Sequence, residues 1–218
     1  MTVATPTLRL ERELLREHAW VIACDEVGRG AIAGPVVVGA AFLDASGARK
    51  RVPEGLRDSK LIAEPKRADV AARAAAWVQA SALGWASAQE VDQVGIIRAL
   101  GLAALRAIDG LAALELTPSE GIVLLDGNHD YISPAGGWAY RVRPVIKGDR
   151  DCASASAASV LAKVERDAYM TALHEEEPVY GWDHNKGYAS QTHRDAITAH
   201  GISRHHRASW AFQGNTLF

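Results

Sequence analysis

Val21-Ile22-Ala23-Cys24-Asp25-Glu26-Val27-Gly28-Arg29-Gly30 is an apolar run that closes on two adjacent carboxylates and opens at once into a Gly-Arg-Gly turn. Such a run, followed by a glycine-rich turn, reads as a buried strand over 20–25. Beyond the Gly34-Pro35 turn signal, the β-branched stretch from Val36 to Leu43 reads as a second strand over 36–43, so the loop joins strand to strand. A strand that ends in acids and leads into a glycine-flanked basic loop suits a divalent cation and a phosphate. Gly28, Gly30 and Gly34 also form a loose relative of the dinucleotide fingerprint. That fingerprint needs a helix immediately after the turn, and Pro35 with Val36-Val37-Val38 stands there instead.

The flanks extend this α/β reading. Residues 1–19 read as a charged tail or short helix, and the loop from Asp44 to Pro65 carries the polar quartet Arg57-Asp58-Ser59-Lys60. An alanine-rich helix is expected from Glu64 to about Ser81, a strand over Leu83–Ser87, and one or two helices from Ala88 to about Leu114. Ile96, Ile97, Leu100, Leu102, Leu105 and Ile108 would supply the buried stripe of that helical region. Gly121-Ile122-Val123-Leu124-Leu125-Asp126-Gly127 is a second apolar strand that ends on an acid. Tyr140–Ile146 alternates as a strand and leads into Lys147-Gly148-Asp149, and Ala153–Tyr169 is a helix of small residues that can lie close to whatever it covers. After about Glu175, tyrosine, tryptophan and five of the eight histidines crowd the chain, which reads as a cap rather than a separate domain.

With 218 residues the chain can bury a sizeable core as one domain. Lys plus Arg number 24 against 26 for Asp plus Glu, a formal charge of -2, so bulk electrostatics does not announce a nucleic-acid binder. A protein that gathers acids around metal ions nevertheless hides a local basic surface from that total. The two cysteines, Cys24 and Cys152, form no CxxC pair and read as small buried residues of a reducing compartment. No apolar run approaches membrane-spanning length, and a soluble cytoplasmic protein is expected.

Asp25, Glu26, Asp126 and Asp149 stand out by position, with glycines beside them that allow close backbone approach. Converging carboxylates repel unless a hard cation such as Mg²⁺ or Mn²⁺ neutralises them, and two such ions can activate water and stabilise a leaving oxygen. Acids at solvated strand ends are the bland alternative. The histidines His184, His193, His205 and His206 lack cysteine partners and suit hydrogen bonding better than zinc. In Asn185-Lys186-Gly187-Tyr188 an aromatic ring beside a lysine can stack on a nucleoside, although a packed loop tyrosine has the same composition.

Taken in order, Asp25-Glu26-Val27-Gly28-Arg29-Gly30, Leu56-Arg57-Asp58-Ser59-Lys60-Leu61, Asp126-Gly127, Lys147-Gly148-Asp149 and the segment Ala157 to Asp167 resemble the signature blocks of the bacterial ribonuclease HII family, the type 2 ribonucleases H. The resemblance runs from about residue 20 to about residue 210. It implies a ribonuclease H-like fold, a mixed five-stranded sheet flanked by helices, with a catalytic core over 1–178 and a packed helical extension over 179–218. It implies Asp25, Glu26, Asp126 and Asp149 as catalytic, metal-binding acids of a site for two Mn²⁺ or Mg²⁺ ions. The implied activity is hydrolysis of the RNA strand of RNA/DNA hybrids and nicking 5′ of single ribonucleotides in duplex DNA, leaving 5′-phosphate and 3′-hydroxyl ends. In the family the backbone of Gly28, Arg29 and Gly30 and the ring of Tyr188 would read the ribose 2′-hydroxyl and the adjoining sugar. Lys60, Ser159, Lys163 and Arg166 would be further substrate contacts, although each cation serves equally well as an ion-pair partner. A monomer is the default expectation, with a replication or repair protein as a possible partner. Other nucleases on this fold, and a non-catalytic hybrid-binding module, are the alternatives.

Two blocks depart from the family pattern: Tyr188-Ala189-Ser190 stands where a glycine and a threonine usually follow the tyrosine, and Ala208 where a second arginine usually follows Arg207. The first departure bears on the freedom of the loop and the second on phosphate contacts.

Overall fold

The computed structural model describes residues 5–210, so the last eight positions of the expected extension over 179–218 lie outside the described residues. Five strands form one mixed sheet in the order β3-β2-β1-β4-β5: β1 is Trp20–Val27, β2 Val36–Asp44, β3 Ala80–Ala86, β4 Gly121–Asp126 and β5 Val142–Val145. β1 pairs antiparallel with β2 because the loop between them simply returns the chain, whereas β4 lies parallel to β1 after a helical crossover.

Alternation along the strands sends successive side chains to opposite faces. Trp20, Ile22 and Cys24 of β1, with Val123 and Leu125 of β4, face a helix, α4 (Ile96–Asp109). Val21, Ala23, Ile122 and Leu124 face the other way, toward α1 (Arg9–Leu14) and the long helix α6 (Ala153–Glu176). α2 (Glu64–Trp77) packs beside α6 on that second face. The small-residue helix lies close, as expected: a β-carbon on Gly39 of β2 would fall 2.4 Å from the Ala158 carbonyl of α6.

Several boundaries differ from the sequence reading. α2 stops at Trp77, not near Ser81, because Val78 is extended and β3 begins at Ala80, where it meets Phe42 of β2. The region after Ala88 is two helices, α3 (Ala88–Val94) and α4, broken at Gly95. In α4 the sheet is met mostly by Ala99, Leu100, Ala103, Ala104 and Ala107, and Ile97 is 43% exposed. α6 runs past Tyr169 to Glu176 and is preceded by the single turn α5 (Gly148–Asp151). Two further helices, α7 (Trp182–Asn185) and α8 (Gln191–His200), close the fold, with Tyr180 and Trp182 buried against Ala33, Met170 and Leu173. Cys24 and Cys152 are free and buried, and burial pushes both thiols up to about 12. No described helix is long and apolar enough to cross a membrane.

Candidate active site

Strand parity assembles the acids. Asp25 follows Val21 and Ala23 on the α6 face of β1, and Asp126 follows Ile122 and Leu124 on the same face of β4, one step beyond the pair Cys24 and Leu125. Lys147, in the left-handed region at φ 60°, then turns the chain so that Asp149 lies in the turn α5 with its N–H 3.3 Å from Asp126 Oδ1. The result is a trio, Asp25, Asp126 and Asp149, whose oxygens lie within 4.8 Å of one another. Glu26 is the next residue along β1 and therefore leaves on the α4 face. There its Oε2 accepts from the Tyr131 hydroxyl at 3.2 Å, and its Oε1 lies 3.4 Å from Arg29 Nη1.

The trio is electrostatically unhappy without a cation. Asp25 is 5% exposed, and burial, followed by the charges of Asp126 and Glu26, lifts its carboxyl well above the usual range. Burial and Asp126 raise Asp149 to about 6, with Lys60 opposing at 3.7 Å from Asp149 Oδ2. Burial also raises Glu26, against the pull of Arg29. Oxygen donors that repel one another in a confined space are the ligand set a hard divalent ion relieves, so the residues present fit Mg²⁺ or Mn²⁺. Around them, Ser159 of α6 lies beside Asp25, whose carboxylate it favours, and donates to Ser59 Oγ at 3.0 Å.

Beside the acids the loop from Gly28 to Pro35 is held from beneath by two wholly buried arginines. Arg166 donates to Pro35 O at 2.9 Å, Lys186 O at 2.9 Å and Ala33 O at 3.3 Å. Arg207 donates to Gly28 O at 2.7 Å, Arg29 O at 3.0 Å and, through two nitrogens, Gly34 O at 3.1 and 3.0 Å. Gly28 has φ +82°, and a β-carbon there would stand 2.1 Å from Arg166 Nε, so conformation and space both demand glycine. Gly30 faces open space. Ile32 and Ala33 donate to the Gly187 carbonyl at 2.8 and 3.1 Å, which fastens the Tyr188 turn to the same loop, and the Arg166 guanidinium lies 5.5 Å from the centroid of the Tyr188 ring. Tyr188 is 37% exposed.

Three expected substrate contacts are placed elsewhere. Arg166 has no exposed surface, and its nitrogens are committed to carbonyls. Lys163 Nζ is bound to Asp167 Oδ1 at 2.6 Å in a partly buried ion pair. Ser159 is 4% exposed and serves Asp25. Lys60 remains at the surface, its side chain 77% exposed. Arg207 was not singled out as a site residue. An arginine reads as a surface or phosphate-binding residue in sequence, and nothing local reveals that its partners lie at Gly28, Arg29 and Gly34.

Comparison with known proteins agrees with this arrangement. The family model described as Ribonuclease HII matches residues 22–213. A ribonuclease HII of Streptomyces avermitilis is 46% identical over 214 residues, spanning 97% of this chain and 86% of that protein. Among solved structures, the ribonuclease HII of the PCNA complex from Archaeoglobus fulgidus has the same fold, with a TM-score of 0.65 at 24% identity over 90% of this chain and 98% of that one. Bst-RNase HIII in complex with Mn²⁺ is similar too, with a TM-score of 0.69 at 21% identity over 90% of this chain and 67% of that one. With nearly the whole length matched at such identity, the chain belongs to the ribonuclease HII family and is an enzyme of the ribonuclease H type.

Proposed function

We propose that the chain hydrolyses the RNA strand of RNA/DNA hybrids and nicks 5′ of single ribonucleotides embedded in duplex DNA, leaving 5′-phosphate and 3′-hydroxyl ends. The convergence of Asp25, Asp126 and Asp149 within 4.8 Å, beside a braced glycine loop, carries this reading. These acids, of which Asp25 is the most buried, would hold two divalent cations, with Glu26 as a fourth acid close by. Such ions, Mg²⁺ or Mn²⁺, supply an activated water and a stabilised leaving oxygen when bound. The similarity to a protein crystallised with Mn²⁺ supports that cofactor class.

The chain's own groups supply recognition. The loop of Gly28, Arg29 and Gly30 would meet the ribose 2′-hydroxyl, which both donates and accepts and so suits backbone partners. The exposed face of Tyr188 would stack on the sugar of the following deoxynucleotide, and Lys60, beside Asp149, would meet a phosphate. Residues 1–178 would form the catalytic core and 179–218 an extension that works as part of the same domain, since it carries Tyr188 and Arg207. The chain would act as a cytoplasmic monomer, and the Archaeoglobus complex with PCNA supports a replication or repair partner of that kind.

The test is cleavage mapping on a DNA duplex with one ribonucleotide, in Mg²⁺ and Mn²⁺, beside an all-DNA duplex and a long hybrid. A single cut 5′ of the ribonucleotide, lost in Asp25→Asn, is expected. Cutting of all-DNA duplexes would overturn the reading in favour of another nuclease, and absence of any metal-dependent cutting in favour of a binding module.

A further inference from the structure

Behind the Tyr188 turn lies a buried chain of polar groups that neither the acids nor the loop accounts for. His193 is 0% exposed, His206 2% and Trp182 0%. His193 Nδ1 lies 2.9 Å from the Tyr188 carbonyl. Its Nε2 receives Trp182 Nε1–H at 3.1 Å and lies 3.1 Å from His206 Nε2. His206 Nδ1 in turn receives the Ser203 backbone N–H at 2.9 Å.

The fixed donors and acceptors at the ends of this chain dictate every proton within it. A backbone N–H only donates, so His206 Nδ1 accepts, and the neutral ring carries its proton on Nε2. A carbonyl only accepts, so His193 Nδ1 carries the proton and donates to Tyr188 O. Indole N–H only donates, so His193 Nε2 accepts, its single lone pair shared between the N–H groups of Trp182 and His206. One arrangement of two neutral imidazoles accommodates these contacts, in keeping with burial, which lowers both rings and brings His206 to about 4. Because the His193 lone pair is already engaged by N–H donors, the pair is not an open metal site. Position is fixed as well: Ser190 caps α8 by accepting the His193 backbone N–H at 3.2 Å, which makes His193 the third residue of the helix.

We infer that His193 is a positioning residue for the ribonucleotide-cutting reaction, holding the Tyr188 backbone through Nδ1 so that the ring presents its face to the substrate sugar. The ring is thereby fixed from two directions, by His193 on its carbonyl and by the Arg166 guanidinium beneath it. This rests on the proposed role of Tyr188. It assigns the C-terminal helix α8 a part in selecting the sugar although none of its side chains need touch the nucleic acid.

The experiment is a double-mutant cycle between His193 and Tyr188, read as kcat/KM on duplex DNA with one ribonucleotide and on a long hybrid. His193→Phe is expected to lower single-ribonucleotide cutting about tenfold in the wild-type background and by less than about twofold when Tyr188 is already alanine. Two polar variants guard against simple unfolding. His193→Asn places an amide N–H where Nδ1 stands and should restore most of the activity. His193→Gln reaches toward Trp182 and His206 instead, leaves the Tyr188 carbonyl without its donor, and should not. Equal losses in both backgrounds, or Gln rescuing as well as Asn, would overturn the positioning role while leaving the reading of Tyr188 intact. Tyr188→Ala with undiminished cutting would remove that reading, and the inference with it.

Discussion

Arg207 Nη2 donates to the Gly28 carbonyl at 2.7 Å across 179 residues of sequence. The same side chain serves Arg29 O and Gly34 O, so one buried guanidinium sets the path of the loop that flanks the acids. Arg207→Met would keep most of the volume and take the guanidinium from three carbonyls, of which Gly28 O keeps only the Ala31 N–H at 3.2 Å. A buried polar group left without its partner costs about 1–3 kcal/mol, so denaturant unfolding should show a loss of at least that order. Arg207→Lys, with a compact ammonium in place of the planar fork, should recover only part of it. A stability equal to wild type in the methionine variant would remove Arg207 from the support of the loop.

Asp25→Asn should separate activity from stability. Metal-dependent nicking should vanish, because the most buried ligand is lost. In the presence of a chelator the variant should melt at or above the wild-type temperature, since the substitution removes a charge that burial, Asp126 and Glu26 all disfavour. A large fall in the chelated melting temperature would make Asp25 a structural residue first.

Asp149 gives the pH dependence a sign. Its carboxyl is raised from 3.8 to about 6 in the folded chain, so the native state holds this proton more tightly than the unfolded one. The contribution to stability is therefore full at low pH and is lost as pH rises from about 4 through 6. Without metal, wild type should lose stability relative to Asp149→Asn across that interval. Saturating Mn²⁺ should reverse the trend, because the ion binds the deprotonated form. Melting curves of both proteins over pH 4–8, with and without Mn²⁺, test this; parallel curves would contradict it.

Lys60 stands 3.7 Å from Asp149 with its side chain 77% exposed, close enough to meet a phosphate drawn to cations that the acids would bind. Lys60→Ala should weaken binding to every nucleic-acid duplex alike and flatten the dependence of log affinity on log salt by about one unit. An unchanged slope in a filter-binding titration would leave Lys60 as an ion-pair partner only.

Much of the site was legible because apolar strands ending in Asp25 and Asp126 announce themselves locally. Parity was harder: Asp25 and Glu26 are neighbours in sequence, yet alternation sends them to opposite faces, so only Asp25 joins the trio. The burial of Arg166 was not legible, since a sequence does not show that a long basic side chain will find carbonyls at Ala33 and Pro35 rather than water. The backbone accommodates both departures locally. Ala189 is outside the positive-φ region, so no glycine is required there, and Ser190 caps α8 through the side-chain oxygen. Ala208 is exposed and held by its backbone N–H to Asp92 Oδ2 at 2.8 Å, while the buried arginine of that block is retained.

Gly39 lies directly across the ladder from Asp25, and the Ala158 carbonyl rests where its methyl would be. Ser159, the next residue of the helix, is the one that steadies Asp25. The missing side chain thus works as a gauge block of zero thickness: it sets how far the serine hangs above the carboxylate, and a single added carbon on a strand with no chemistry of its own would lift the helix and detune the acids from behind.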